Sequence, residues 1–181
     1  MEHPVNAHCH RGFTLVELCV SVAILALLAG LALPSLMRLR EQQMLRVRAD
    51  QLASDLYLAR SEAARLGESV FVRVSGKGAN ACYVIHTGKR NACDCSNTVA
   101  SCPAGAGQVV KAEWFPADEP VRLSSNAETL AFQHSQGLVT QTGRITLSLD
   151  KGAAIGQIVA ITGRVRTCAT GITLRGASRC S

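Results

Sequence analysis

The sequence predicts an α+β protein: a long N-terminal helix, half membrane-spanning and half amphipathic, packed on a small β-rich domain of short antiparallel strands. Three observations lead there. Residues 13–33 read FTLVELCVSVAILALLAGLAL, an apolar run with a single charged residue. Leu45, Ala49, Leu52, Leu56, Ala59, Ala63 and Leu66 then recur at spacings of four and three, which puts them on one helical face. Beyond Gly67, short β-branched segments alternate with turns rich in Gly, Asn, Ser and Pro.

The apolar run is long enough to cross a bilayer, since its length at the helical rise spans about 31 Å. Upstream, His8, His10 and Arg11 make a short leader; downstream stand Arg38, Arg40, Arg46 and Arg48, so charge bias says little about topology. A secretory signal would need a small-x-small cleavage site after the run, whereas the helical pattern continues, so the segment is expected to be retained. Pro34 removes an N–H donor and is expected to break or kink the helix locally. Arg46 and Arg48 read as part of a solvated helix face, and Gly67 suits the residue that ends the helix in a left-handed conformation. Strands are predicted over 70–74, 82–86, 109–114, 129–132, 144–149, 157–161 and 172–175, with 87–107 as a disulfide-pinned surface loop.

Composition narrows the function. With the helical segments set aside, about 115 of the 181 residues remain, enough for one modest domain. The formal net charge of +6 favours acidic partners, but distribution has to decide which. Cys9 precedes the apolar run and Cys19 lies within it. Cys82, Cys93, Cys95, Cys102, Cys168 and Cys180 follow as an even set that reads as disulfides in an oxidising compartment, with connectivity open. The competing reading is a zinc site from His86, Cys93, Cys95 and Cys102; C-x-C spacing and the lack of paired C-x-x-C knuckles speak against it, and no metal or other cofactor is expected. Histidines in the domain are limited to His86 and His134, no nucleophile sits in a recognisable motif, and Gly152–Gly156 lacks the Lys-Ser/Thr of a phosphate loop. No enzyme is expected.

Glu17 is the anomaly of the run, because a carboxylate at membrane depth costs about 2.5–3.5 kcal/mol. A cut between Gly12 and Phe13 would create an α-amino group able to pair with Glu17 of a neighbouring, staggered subunit. The residues RGFTLVEL, the apolar stretch after them and Pro34 resemble the processing motif of the type IV prepilin and pseudopilin superfamily. The resemblance implies a leader over 1–12, a transmembrane helix over 13–33, an amphipathic helix over 34–66 and a periplasmic β-rich domain over 67–181. It further implies cleavage after Gly12 and methylation of the Phe13 nitrogen by a prepilin peptidase, filament assembly through Glu17, bacterial inner-membrane localisation, and partnership with other pilin or pseudopilin subunits.

The closing stretch QIVAITGRVRTC resembles the GspH/FimT group, which holds minor pilins and type II secretion pseudopilins. In its competence members a GRxR motif is implicated in DNA binding, and Gly163-Arg164-Val165-Arg166 matches it. Beside the resemblance stands a physical reading: from Lys151 onward Arg164, Arg166, Arg175 and Arg179 meet no Asp or Glu. In a strand, Arg164 and Arg166 would point to one side and touch successive phosphates, and a Cys168–Cys180 link would hold all four arginines near one surface. A DNA-contacting minor pilin and a secretion pseudopilin without DNA binding are the two readings.

Overall fold

The computed structural model describes residues 14–76, 78, 80–135, 137–150 and 152–180, so Gly12, Phe13 and Lys151 lie outside the described residues. The chain divides into one unit ending at Leu39 and a second, Arg40–Ser181.

Helix α1 spans Leu15–Leu66. Thr14 caps it: its hydroxyl accepts the Glu17 N–H (3.3 Å) and its carbonyl the Leu18 N–H (3.1 Å). In the first unit, α1 supplies a stretch long and apolar enough, by length and composition, to cross a membrane. Of the two expectations at Pro34, a break is not seen: the helix runs through the proline. The residue one turn earlier, whose carbonyl the proline ring crowds, is Gly30, and the Ser35 hydroxyl donates to the nearby Ala32 carbonyl (2.8 Å).

In the second unit the predicted stripe is real. Leu45, Ala49, Leu52, Leu56, Ala59 and Ala63 are all buried, whereas Leu66, at 39% exposure, is not part of the buried face. Gly67, at φ 69°, closes the helix with its N–H on the Ala63 carbonyl (3.2 Å).

The strands are β1 (Val70–Ser75), β2 (Ala81–His86), β3 (Val109–Phe115), β4 (Val121–Ser125), β5 (Thr129–Phe132), β6 (Gly143–Leu149), β7 (Ala154–Val159), β8 (Val165–Thr170) and β9 (Ser178–Arg179). They form a four-stranded sheet, β3-β2-β1-β5, and a five-stranded sheet, β4-β6-β7-β8-β9. Every pairing is antiparallel except the two-residue parallel pair of β8 with β9, Cys168 beside Ser178 and Ala169 beside Arg179. Val72, Tyr83 and Phe132 of the first sheet and Leu123, Leu147 and Ile155 of the second join the buried stripe of α1 in one core.

Several strand expectations need correction. The strand predicted over 157–161 begins earlier and ends at Val159, and 172–175 is not a strand at all. Ile172 and Leu174 do pack against the core, so the alternation is physical, but that segment has no ladder partner. β4 was not anticipated because Val121 and Leu123, its inward residues, sit in a Pro- and Ser-rich stretch that reads as a turn.

The 87–107 segment is pinned as expected, by Cys82–Cys95 and Cys93–Cys102. It does more than decorate the surface. Cys93 and Cys95 are buried with Cys82 and Val84 against Trp114, a second small core on the far side of the first sheet. Arg73 Nη1 donates to the Asn91 and Cys93 carbonyls (3.0 and 3.1 Å), and Asp94 accepts from the hydroxyls of Ser75 and Ser96 (both 2.5 Å). Those donors hold the Asp94 carboxyl down at about 2. Because Cys93, Cys95 and Cys102 are all oxidised, the zinc alternative has no thiolates to use.

Candidate nucleic-acid interface

The site is built on the turn between β7 and β8. Ala160 donates its N–H to the Arg164 carbonyl (2.9 Å) and Gly163 donates to the Ala160 carbonyl (2.8 Å). Gly163 is needed for two reasons. Its φ is 72°, and a Cβ there would lie 2.2 Å from the Gly137 carbonyl oxygen. Arg60, from α1, donates to the Gly163 carbonyl (3.4 Å) and so ties the turn to the helix.

From Gly163 the chain enters β8 with the alternation a strand imposes: Val165 is buried, while Arg164 and Arg166 are exposed. Thr167 is held inward, its hydroxyl donating to Gln157 Oε1 (2.9 Å), and Gln157 Nε2 in turn donates to the Ala49 carbonyl of α1 (3.1 Å). Opposite this edge runs the irregular segment after β8. It is fixed by the Cys168–Cys180 disulfide, by Arg46 Nη2 donating to the Thr173 carbonyl (3.3 Å) and by the Cys180 N–H on the Ala169 carbonyl (3.2 Å).

The two segments enclose an open groove of about 620 Å3, with Arg164, Arg166 and Thr167 on one side, Arg175 and Ser178 on the other, and Asp50 of α1 contributing a carboxylate. Three of the four candidate arginines therefore share one concavity. Arg179 does not; it lines a neighbouring depression with Ile172 and Leu174. Asp50 had no signal in the sequence, because it is a helical residue more than a hundred positions away from the arginines it faces.

A second polar constellation was also missed. Asp55 is buried in the otherwise apolar stripe of α1, where its Oδ2 accepts the Tyr83 hydroxyl (2.7 Å) and its Oδ1 the Lys111 ammonium (2.8 Å). Burial and the Asp55 bond push the Tyr83 phenol up, and the Asp55 bond raises Lys111. Arg48, expected on a solvated face, pairs instead with Glu119 and Glu113 and lies over the Phe115 ring, 5.4 Å from its centroid. These contacts lock the helix against β2 and β3. Glu17 sits in the first turn of α1, its carbonyl accepting the Ser21 hydroxyl (2.7 Å).

The crystal structure of the type IV minor pilin FimU from Pseudomonas aeruginosa (strain PAO1) is similar in fold, at TM-score 0.50 and 16% identity, covering 70% of this chain and 89% of that one. A second crystal form of FimU gives TM-score 0.49 and 16% identity, over 70% of this chain and 98% of that one. No curated protein sequence matches. The prokaryotic N-terminal methylation motif matches residues 8–33, and the family described as type II transport protein GspH matches residues 48–165. As that match takes in more than half of the sequence, the chain belongs to the GspH family of pilin-like proteins.

Proposed function

We propose that this chain is a minor subunit of a type IV pilus-class filament that contacts DNA during uptake through the groove of Arg164, Arg166 and Arg175. It is cut between Gly12 and Phe13 and methylated at Phe13 by prepilin peptidase, and anchored in the inner membrane by residues 13–33. Glu17 pairs with the new α-amino group of a neighbouring subunit, and residues 67–181 lie in the periplasm. The observation that carries the DNA reading is the convergence of three exposed guanidiniums from two separate segments on one open groove. Guanidiniums so placed bind phosphate oxygens without reading sequence. The described groove residues include no aromatic side chain, which speaks for backbone contacts rather than base stacking.

Three phosphate contacts imply a log–log salt slope of about −2.7, or about 40-fold weaker binding between 50 and 200 mM salt. The test uses the mature full-length chain in nonionic detergent, titrated into a labelled short duplex. Arg164→Ala with Arg166→Ala is expected to abolish most binding while near-ultraviolet dichroism stays unchanged; a folded double variant that binds like wild type refutes the groove.

A second reading is a pseudopilin of a type II secretion filament, without DNA binding. It is favoured by the family match, whose description is type II transport protein GspH. A folded wild-type chain that binds no duplex at low salt, yet assembles with secretion pseudopilins, supports this reading over the first.

A further inference from the structure

Arg166 lines the groove and also stands on the outer face of the five-stranded sheet, a face of unusual composition. β4, β6, β7 and β8 together hold no Asp or Glu. Apart from Arg122, which pairs with Asp150, and from Arg144, Ile158 and Arg166, their outward positions carry small or hydroxyl side chains, among them Ser124, Thr146, Ser148 and Thr170. Cross-strand register places Arg144 of β6 beside Ile158 of β7, and Ile158 beside Arg166 of β8. The neighbours Ile145, Val159 and Val165 all enter the core, which fixes this row as outward-facing. Arg144 and Arg166 thus stand two strands apart, about 10 Å between their backbones.

The stem of Arg144 does not stand upright. Its Cγ and Cδ lie 3.6 Å from where a Cβ of Gly156 would be, and the Cys168 sulfur lies 3.0 Å from the same point. The missing side chain at Gly156, which stands beside Cys168 of β8, leaves the space over β7 that the Arg144 stem occupies. Its backbone is fixed by reciprocal bonds with Asn126, the Arg144 N–H to Asn126 Oδ1 (2.7 Å) and the Asn126 N–H to the Arg144 carbonyl (3.1 Å).

We propose that the nucleic-acid interface continues from the groove onto this sheet face, with Arg144 as a further phosphate-contacting residue and the bound backbone running across β8 and β7 to β6. The inference rests on the DNA reading of the groove and adds to it a direction and a fourth contact. Four contacts steepen the salt slope to about −3.6.

The experiment measures duplex affinity of the mature full-length chain across a salt series for wild type, Arg144→Gln and Arg65→Gln. Arg65 pairs with Glu62 on an exposed turn of α1 and controls for net charge. Arg144→Gln is expected to flatten the slope by about 0.9 and to weaken binding several-fold at low salt, with Arg65→Gln close to wild type. A wild type that binds, with a slope unmoved by Arg144→Gln, overturns the extension and leaves the groove standing. A wild type that does not bind overturns the groove and the extension together. Should Arg144→Gln unfold, phenylglyoxal modification of the wild type decides: DNA protection of Arg144 supports the interface, and equal modification with and without DNA refutes it.

Discussion

Replacing Tyr83 by phenylalanine removes one oxygen from the contact that locks α1 to the first sheet. Tyr83 is 1% and Asp55 5% exposed, and the hydroxyl donates to Oδ2 at 2.7 Å. The ring keeps its place against Phe115, 6.1 Å between centroids, and Lys111 continues to hold the other carboxylate oxygen. What is lost is therefore one buried hydrogen bond to a charged group, worth about 1.5–3 kcal/mol. In a domain of this size that lowers Tm by about 5–10 °C. The pH profile carries a second signature. The Tyr83 phenol is pushed up in the folded state, so its contribution is complete below the unfolded value of 10 and is lost as pH rises above it; Lys111, also raised, acts in the same direction above 10.5. Tyr83→Phe should accordingly flatten the alkaline limb as well as lower the plateau. Thermal unfolding followed by Trp114, the sole tryptophan, measures both. A plateau within about 0.5 kcal/mol of wild type together with an unchanged alkaline limb would refute the assigned role of this bond.

Three further outcomes follow from other parts of the molecule. Gly163→Ala combines a left-handed backbone with a 2.2 Å approach to the Gly137 carbonyl, so it should lower Tm by more than Tyr83→Phe and weaken duplex binding; a Tm equal to wild type contradicts the turn geometry. Asp50→Asn removes the carboxylate that faces Arg164, Arg166 and Arg175, and should tighten duplex binding several-fold without changing stability; unchanged or weaker binding places DNA elsewhere. Acid should loosen the 87–107 cover. His86 is buried, stacks on Phe71 and donates Nδ1–H to the Thr87 carbonyl; burial, the main cause, lowers its pKa. Its contribution is therefore present above 6.5 and declines as pH falls below that value, and that of Asp94 follows between 3.8 and about 2. Faster amide exchange in 87–107 as pH drops from 6.5 to 4, after correction for intrinsic rates, is the expected result; constant corrected rates contradict it.

The apolar N-terminal stretch of α1, its buried stripe and most strands were legible because each obeys one local period: apolar throughout, three-to-four, or two. Failures arose where long-range partners decide. Ile172 and Leu174 alternate like a strand yet have no neighbour to pair with, and Val121 and Leu123 gain a ladder only because β6 lies alongside them. Asp55 interrupts an apolar face, and nothing local reveals that Tyr83 and Lys111 wait across it. In the site, Gly163, Arg164 and Arg166 were readable as a contiguous motif. Asp50 and Arg144 were not, since the fold alone brings a helix and a distant strand to the same surface.

The measurement that bears most directly on the groove is a map of backbone amide shifts in the mature full-length chain as a short DNA duplex is added at low salt. Salt-reversible shifts concentrated at Arg164–Thr167 and Leu174–Ser178, extending to Arg144 and Ile158, are the predicted result. Shifts confined to other basic residues, or none with the chain folded, would contradict a nucleic-acid role for the arginine groove.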